Sequence, residues 1–280
     1  MTPNEPQQNA FVPADDAIAR HREELKKRFP LPLPTKQPKT RSLTTLSVVI
    51  AALGLVSGLA WLDPSYKAEQ FGSAIGEHQV IQLADGSRIT LDAASRIKVN
   101  WHLRSRRVEL QAGQALFSVA PALYRPFLTS AGSTRIKVVG TRYNVSRHQD
   151  DVRVTVEEGK VDVRGNAADI RLTAGDQILV HNGRLGKPAH VDAAAFAAWK
   201  EGRLVFDRAP LREVLAVIQR YQRNPIVMQD SSLAELPVSG SFDSAHLDKM
   251  LALLPKILPL DLTTDSQGTL HLQRRSPKNN

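Results

Sequence analysis

Residues 43–62, LTTLSVVIAALGLVSGLAWL, contain no charged side chain, and the hydrophobic pattern before them differs in kind from the pattern after them. At about 1.5 Å per residue, an apolar helix of this length covers about 30 Å, the hydrocarbon thickness of a bilayer. Lys36, Lys39 and Arg41 lie just upstream, and Asp63 follows at once. The positive-inside bias then predicts a single-pass membrane protein, with residues 1–42 in the cytoplasm and the bulk of the chain across the membrane. Two alternatives fit less well. A cleaved signal peptide has a shorter apolar core near the start of the chain and ends in small residues, whereas here the lead-in is long and Trp61 sits where an interfacial anchor belongs. A buried helix of a soluble domain rarely runs 18 or more residues without a charge. Gly54 and Gly58 form a G-x-x-x-G pair, which suits close packing of two spans and is also ordinary in membrane helices.

Before the span, ADDAIARHREELKKRF at 14–29 has helical spacing, and its basic residues gather toward the end, as the helix dipole favours. Ile18, Leu25 and Phe29 share one side with Arg22 between them. That stripe is too thin to build a domain and suits docking to a cytoplasmic partner; an unpartnered tail is the alternative. PLPLPTKQPK at 30–39 predicts an extended spacer.

Beyond the span, 63–75 reads as a linker, and from 76 to 186 the period becomes two. VIQLADGSRITL alternates around Asp85-Gly86, a hairpin dipeptide. The same sketch recurs in RRVELQAGQALFSV, VRVTVEEGKVDV and IRLTAGDQILV, with turns predicted at Gly113, Gly159 and Gly175. A further strand pair lies around RIKVVG and TRYNVSR. Short strands, frequent glycines and no amphipathic helix predict an all-β sandwich or β-roll. Its expected core holds Val108, Leu110, Leu116, Phe117, Val119, Val152, Val154, Val156, Val161 and Val163.

After Gly186 the pattern changes again. Residues 187–200 read as a connector and 201–275 as a small α+β domain. In the latter, LVF, PIVMQ and PVSGSFD are strands and LDLTTDSQGTLHLQR a hairpin. PLREVLAVIQRYQ and HLDKMLALL are amphipathic helices, with Pro210 in a first turn and Pro255 ending or bending the second. Residues 276–280 read as a disordered tail.

Charge and composition narrow the chemistry. The net charge is +9, but the basic residues (Arg104, Arg106, Arg107, Arg135, Lys137, Arg142) are scattered and read mostly as solvated strand faces, not a nucleic-acid surface. There is no cysteine, hence no disulfide framework, thiolate site or cysteine nucleophile. No G-x-S-x-G, Walker loop, Rossmann glycine pattern or H-E-x-x-H occurs, and the eight histidines are scattered without metal-ligand spacing. Neither an enzyme nor a bound cofactor or metal is expected.

The ordered series LADGSRITLDAASRI, VELQAGQALFSV, STRIKVVGTRYNVSR, VRVTVEEGKVDV, AWKEGRLVFDRAPLREVLAVIQRY and VSGSFD resembles the FecR-type transmembrane regulators, the anti-sigma proteins of cell-surface signalling. The resemblance covers roughly residues 76–275. Its distal part is similar to the short N-terminal domain shared by secretins and TonB-dependent receptors. The resemblance implies an inner-membrane protein, in an iron-uptake setting, with its bulk in the periplasm. Outside, the partner is the periplasmic signalling domain of a TonB-dependent receptor; inside, it is an extracytoplasmic-function sigma factor. Membrane lipid and periplasmic and intramembrane proteases complete the implied partners, with no direct nucleic acid. The tail departs from the family in length and lacks the tryptophan that commonly grips the sigma factor. A structural or transport-linked envelope protein, docking an outer-membrane complex without sigma control, is the rival reading.

Some proteins of this type cut themselves at a Gly-Thr bond in the motif that Gly140-Thr141 occupies here. Thr141 Oγ would attack the Gly140 carbonyl, the acyl group would shift from N to O, and water would cleave the ester. The alternative is a bulge or turn at Gly140 and an ordinary strand residue at Thr141. For receptor contact, the expected strands are Leu204, Val205 and Phe206, or Val238, Gly240 and Phe242, since a small sheet offers an edge for strand addition.

Overall fold

The computed structural model describes residues 14–30, 43–192, 195 and 197–275. Most of the predicted spacer and the 276–280 tail lie outside them. Helix α1 (Ala14–Arg28) ends on Lys26, Lys27 and Arg28. Helix α2 (Leu43–Leu62) is a single 20-residue helix. Among its residues with described side chains, which leave out 43–46 and 59–60, no helix is long and apolar enough to cross a membrane. The crossing therefore rests on the sequence alone. Residues 1–56 and 57–280 form two compact units.

The second unit begins with fourteen strands over two faces: β1 (Ser65–Gly72), β2 (Gln79–Gln82), β3 (Arg88–Leu91), β4 (Arg96–His102), β5 (Arg106–Ser118), β6 (Phe127–Ala131), β7 (Thr134–Val138), β8 (Arg142–His148), β9 (Asp151–Glu158), β10 (Lys160–Arg164), β11 (Asp169–Thr173), β12 (Asp176–His181), β13 (Arg184–Leu185) and β14 (Ala189–His190). The long β5 is shared by both faces. Its first half pairs with β4 and, in parallel, with β6; its second half pairs with β3 and β8. One face then runs β1-β4-β5-β6-β7-β10-β11 and the other β2-β3-β5-β8-β9-β12. Ile89, Phe117, Phe127, Tyr143, Val154 and Val163, all buried, meet between them, with Phe117 stacked on Tyr143 at 5.0 Å.

The expected β architecture stands, but its connections differ from the predicted hairpins. Only Asp85-Gly86 closes one, between β2 and β3. Gly113 lies inside β5, where the strand bends from one face to the other. Its φ is +85°, and a Cβ there would sit 2.2 Å from Ser95 Oγ, so the bend needs glycine. At Gly159 the chain passes from β9 to β10, and at Gly175 from β11 to β12; neither pair is hydrogen-bonded as neighbours. β7 and β8 likewise fall on different faces. Alternation with a glycine between is the pattern of a corner as much as of a hairpin, and local sequence does not separate them. The predicted linker 63–75 is also mostly strand: β1 pairs along β4. The domain runs on to His190, since β14 pairs with β12.

The α+β domain follows a short 3-10 turn at Ala198–Glu201. It comprises β15 (Arg203–Pro210), α3 (Leu211–Gln219), β16 (Ile226–Met228), β17 (Pro237–Asp243), α4 (Leu247–Ile257), β18 (Leu260–Thr264) and β19 (Leu270–Arg274). The element order is as predicted, but the strands divide into a β15-β17 pair and a β16-β19-β18 trio. Pro210 ends β15 at the N-cap of α3, and Pro255 lies within α4, which continues to Ile257. Leu211, Val214, Leu215 and Ile218 of α3 and Met250, Leu251 and Leu254 of α4 bury the helical stripes read from the sequence. Leu116 is buried as expected, but in this second core: it projects from β5 away from Phe117 and joins Leu204, Phe206 and Val214.

Candidate functional site

The two folded domains meet at a seam built around one acid. Asp92 follows β3, and its side chain is fully buried. The Ala93 N–H donates to it at 2.8 Å and the His78 ring at 3.2 Å, both from the β domain. From the α+β domain, the Tyr221 hydroxyl donates to the same carboxylate, and the Arg220 guanidinium pairs with it at 3.2 Å. Both come from the end of α3, which presents them because the helix stops there, with Arg220 at its C-cap. Burial alone would raise the Asp92 carboxyl; the Arg220 charge and the bonds from His78, Tyr221 and Ala93 outweigh it and hold the group below its ordinary value. The same burial, beside a carboxylate, pushes the Tyr221 hydroxyl far up, so it stays a donor.

Further contacts extend the seam. Arg220 donates to the Gln114 side chain at 3.1 Å, and the Gly76 N–H to the Arg220 carbonyl at 3.0 Å. Trp199 meets His78 edge to face at 5.3 Å. On the next turns of α3, Glu213 takes a bidentate pair from Arg153 of β9, one bond at 2.7 Å. Between these contacts lies a cleft of about 380 Å³, lined by β5, β8 and β9 on one side and β15 and α3 on the other. Its His148 is pushed below the ordinary histidine value by burial and by the nearby Arg220.

The expected receptor strands turn out to be partners of each other. Leu204 faces Phe242, Val205 faces Ser241 and Phe206 faces Gly240 across the antiparallel β15-β17 pair, with Val238 opposite Ala209. Each strand has one neighbour, so each keeps one open side. β15 lines the cleft whereas β17 does not, so a strand added to β17 need not enter the cleft. Gly240 leaves space for the Phe242 ring, which tilts against Phe206 at 6.1 Å.

Gly140 and Thr141 form the corner between β7 and β8. Gly140 is exposed and passes Pro121 so closely that a Cβ would come within 2.9 Å of it. Thr141 is buried and its hydroxyl donates to the Lys160 carbonyl at 3.0 Å, a bond that must break before Oγ could turn on the Gly140 carbonyl. On α1, Ile18 (63% exposed), Arg22 and Leu25 lie open, as does Phe29 (71% exposed) just past its end.

Sequence reading did not single out Asp92, Arg220, Tyr221, His78 or the Arg153–Glu213 pair. Nothing in ITLDAAS marks its acid as buried; the one local signal is that Asp92 directly follows the alternating strand that ends at Leu91. Arg106, read as a solvated face, is also buried. It pairs with Asp85 at 2.6 Å and lies over the Phe127 ring.

The family model described as "FecR protein" matches residues 70–162, and the model "FecR, C-terminal" matches 203–270; together they span more than half of the chain. Two crystal structures of a protein from Parabacteroides distasonis ATCC 8503, provisionally named an anti-sigma factor, are similar to it. Both superpose with a TM-score of 0.68 at 25% identity, covering 75% and 74% of this chain and 100% of theirs. No curated protein matches the chain.

Proposed function

Because the chain belongs to the FecR family of anti-sigma regulators, we propose that it is a single-pass relay of the inner membrane. On this reading α1 meets an extracytoplasmic-function sigma factor in the cytoplasm, α2 crosses the bilayer, and the two folded domains stand in the periplasm. There the α+β domain reads the signalling domain of a TonB-dependent receptor. The observation that carries the relay is the succession of both family matches on one compact unit, preceded by a charge-free 20-residue helix. The open apolar stripe of α1 supplies a docking face of the size a peptide-like partner uses. The unpaired side of β17 supplies a template for a receptor strand.

A pull-down with residues 1–42 tests the inner end: retention of a sigma factor, lost on Leu25→Ser with Phe29→Ser, supports it. A tail that retains none, beside a receptor that still binds, favours the docking protein without sigma control. Deleting residues 200–275 abolishes receptor binding on this reading. Regulated cleavage at Gly140–Thr141 belongs to the same proposal: Thr141→Ala leaves only full-length protein on a blot, and unchanged fragments exclude it.

A further inference from the structure

The end of the β domain next to α2 carries exposed apolar side chains that neither folded core uses, with basic residues among them. Asp63, the first residue after α2, is clasped by the β4–β5 turn: it accepts from the Arg104 N–H at 2.9 Å, the Ser105 hydroxyl at 2.8 Å and the Arg107 guanidinium at 3.3 Å. The His102 ring donates to the Asp63 carbonyl. The loop before β6 lies against the same turn, since Arg125 donates to the His102 carbonyl at 2.6 Å and the Arg106 N–H to the Pro126 carbonyl at 3.1 Å. These bonds fix together three segments that leave large apolar side chains in solvent: Trp61 and Tyr66, Leu103, then Leu123 and Tyr124. Tyr124 is 94% exposed and Leu123 79%, although both sit on a hydrogen-bonded loop. Lys67, Arg104 and Arg107, all exposed, stand among them, with Arg125 half-buried beside them. The carboxylates nearby, Asp63 and Asp85, are turned inward onto Arg107 and Arg106, and Glu69 is taken by Lys67 and Trp101.

We propose that this end of the β domain seats on the anionic phospholipid surface from which α2 emerges. The composition fits that occupant on three counts. Tryptophan and tyrosine favour the headgroup layer, leucines insert just below it, and arginine or lysine beside them pairs with phosphate. Each basic group near an anionic surface contributes about 1 kcal/mol, about a fivefold change in binding. Trp61 and Asp63 also tie this surface to the chain within a few residues of the end of α2. The proposal rests on α2 being a membrane span. It gives the β domain a fixed stance on the bilayer, in which the corner at Gly140, held through the Ala122 N–H to the Val139 carbonyl at 2.9 Å, lies at the membrane-facing end.

The chain has no cysteine, so single reporters are clean. The full chain is placed in nanodiscs of phosphatidylcholine alone or with phosphatidylglycerol. An environment-sensitive fluorophore is attached at Leu123→Cys, at Leu55→Cys in α2, or at Ser266→Cys in the far β18–β19 turn. The expected result is a blue-shifted, iodide-protected signal at 123 that requires phosphatidylglycerol, weakens about fivefold with Arg104→Ser, and falls with added salt. The reporter at 55 is protected in both lipids and that at 266 in neither. Equal quenching at 123 and 266 with 55 protected overturns the docking surface while leaving the span intact. Quenching at 55 overturns the span and the docking surface together.

Discussion

Two buried aspartates hold the β domain at its two junctions, and they are built alike: each has an arginine, a histidine and a backbone N–H around one carboxylate. They differ in where those partners come from. Asp63 takes all of its partners from the β4–β5 turn, within the domain that α2 enters. Asp92 takes His78 and Ala93 from the β domain, but Arg220 and Tyr221 from the α+β domain. The first is a local clasp on the chain; the second is a tie between two folding units. The Asp92 side chain is fully excluded from water, whereas that of Asp63 keeps 10% exposure. In the relay proposed above a signal passes both points, and the chemistry predicts far greater sensitivity to damage at the second.

Asp92→Ala is expected to have the largest effect. It leaves Arg220 buried without a counter-charge, which costs about 3–5 kcal/mol. Denaturant unfolding is expected to lose cooperativity, with the α+β domain released first. Gly113→Ala comes next, at about 2–3 kcal/mol, because the new Cβ meets Ser95 and the backbone is strained. It bends the strand that serves both faces and therefore weakens both junctions, read as faster hydrogen exchange on β5 and α3 alike. Asp63→Ala should cost about 2 kcal/mol through lost bonds to a charged group. Its exchange effect stays confined to residues 63–66 and 102–107; spread to α3 would contradict the contrast. The Arg153–Glu213 pair, half-buried at one edge of the seam, is worth about 1 kcal/mol in a double-mutant cycle.

Acid acts on the two junctions with the same sign but through different partners. Both aspartates titrate below their ordinary value when folded. For Asp63, burial works against this, and the Arg104 N–H, the Ser105 hydroxyl and the charges of His102 and Arg107 prevail. The unfolded chain therefore binds protons first as pH falls. The stability these groups contribute is complete above about pH 4 and is lost as pH drops through their lower folded values. Unfolding midpoints across that range should fall less steeply for Asp92→Asn than for the parent, and Asp63→Asn should flatten the curve less.

What the sequence revealed follows from range. The period-two stretches, the amphipathic stripes of α3 and α4 and the Asp85-Gly86 hairpin are local, and all appear in the fold. The corners at Gly113, Gly159 and Gly175 carry the sequence pattern of hairpins, because a positive-φ glycine between alternating stretches serves either geometry, and only non-local pairing decides. β1 was missed because SYKAEQFG alternates weakly at a sheet edge, where one face stays wet. The seam was least legible. Asp92 and Arg220 are 128 positions apart, and each alone resembles a solvated surface residue. The Leu204–Phe206 and Val238–Phe242 strands were found as elements, but their mutual pairing, which leaves one open side on each, was not.

Through the Asp92 tie the two folded domains should move as one body. Spin labels at Lys137→Cys in the β domain and Lys256→Cys in the α+β domain measure this directly, by pulsed electron resonance on the full chain. The parent should give one narrow distance, and Asp92→Ala a broad distribution with both domains still folded by circular dichroism. A distribution in Asp92→Ala as narrow as the parent's would show that the seam does not join the domains.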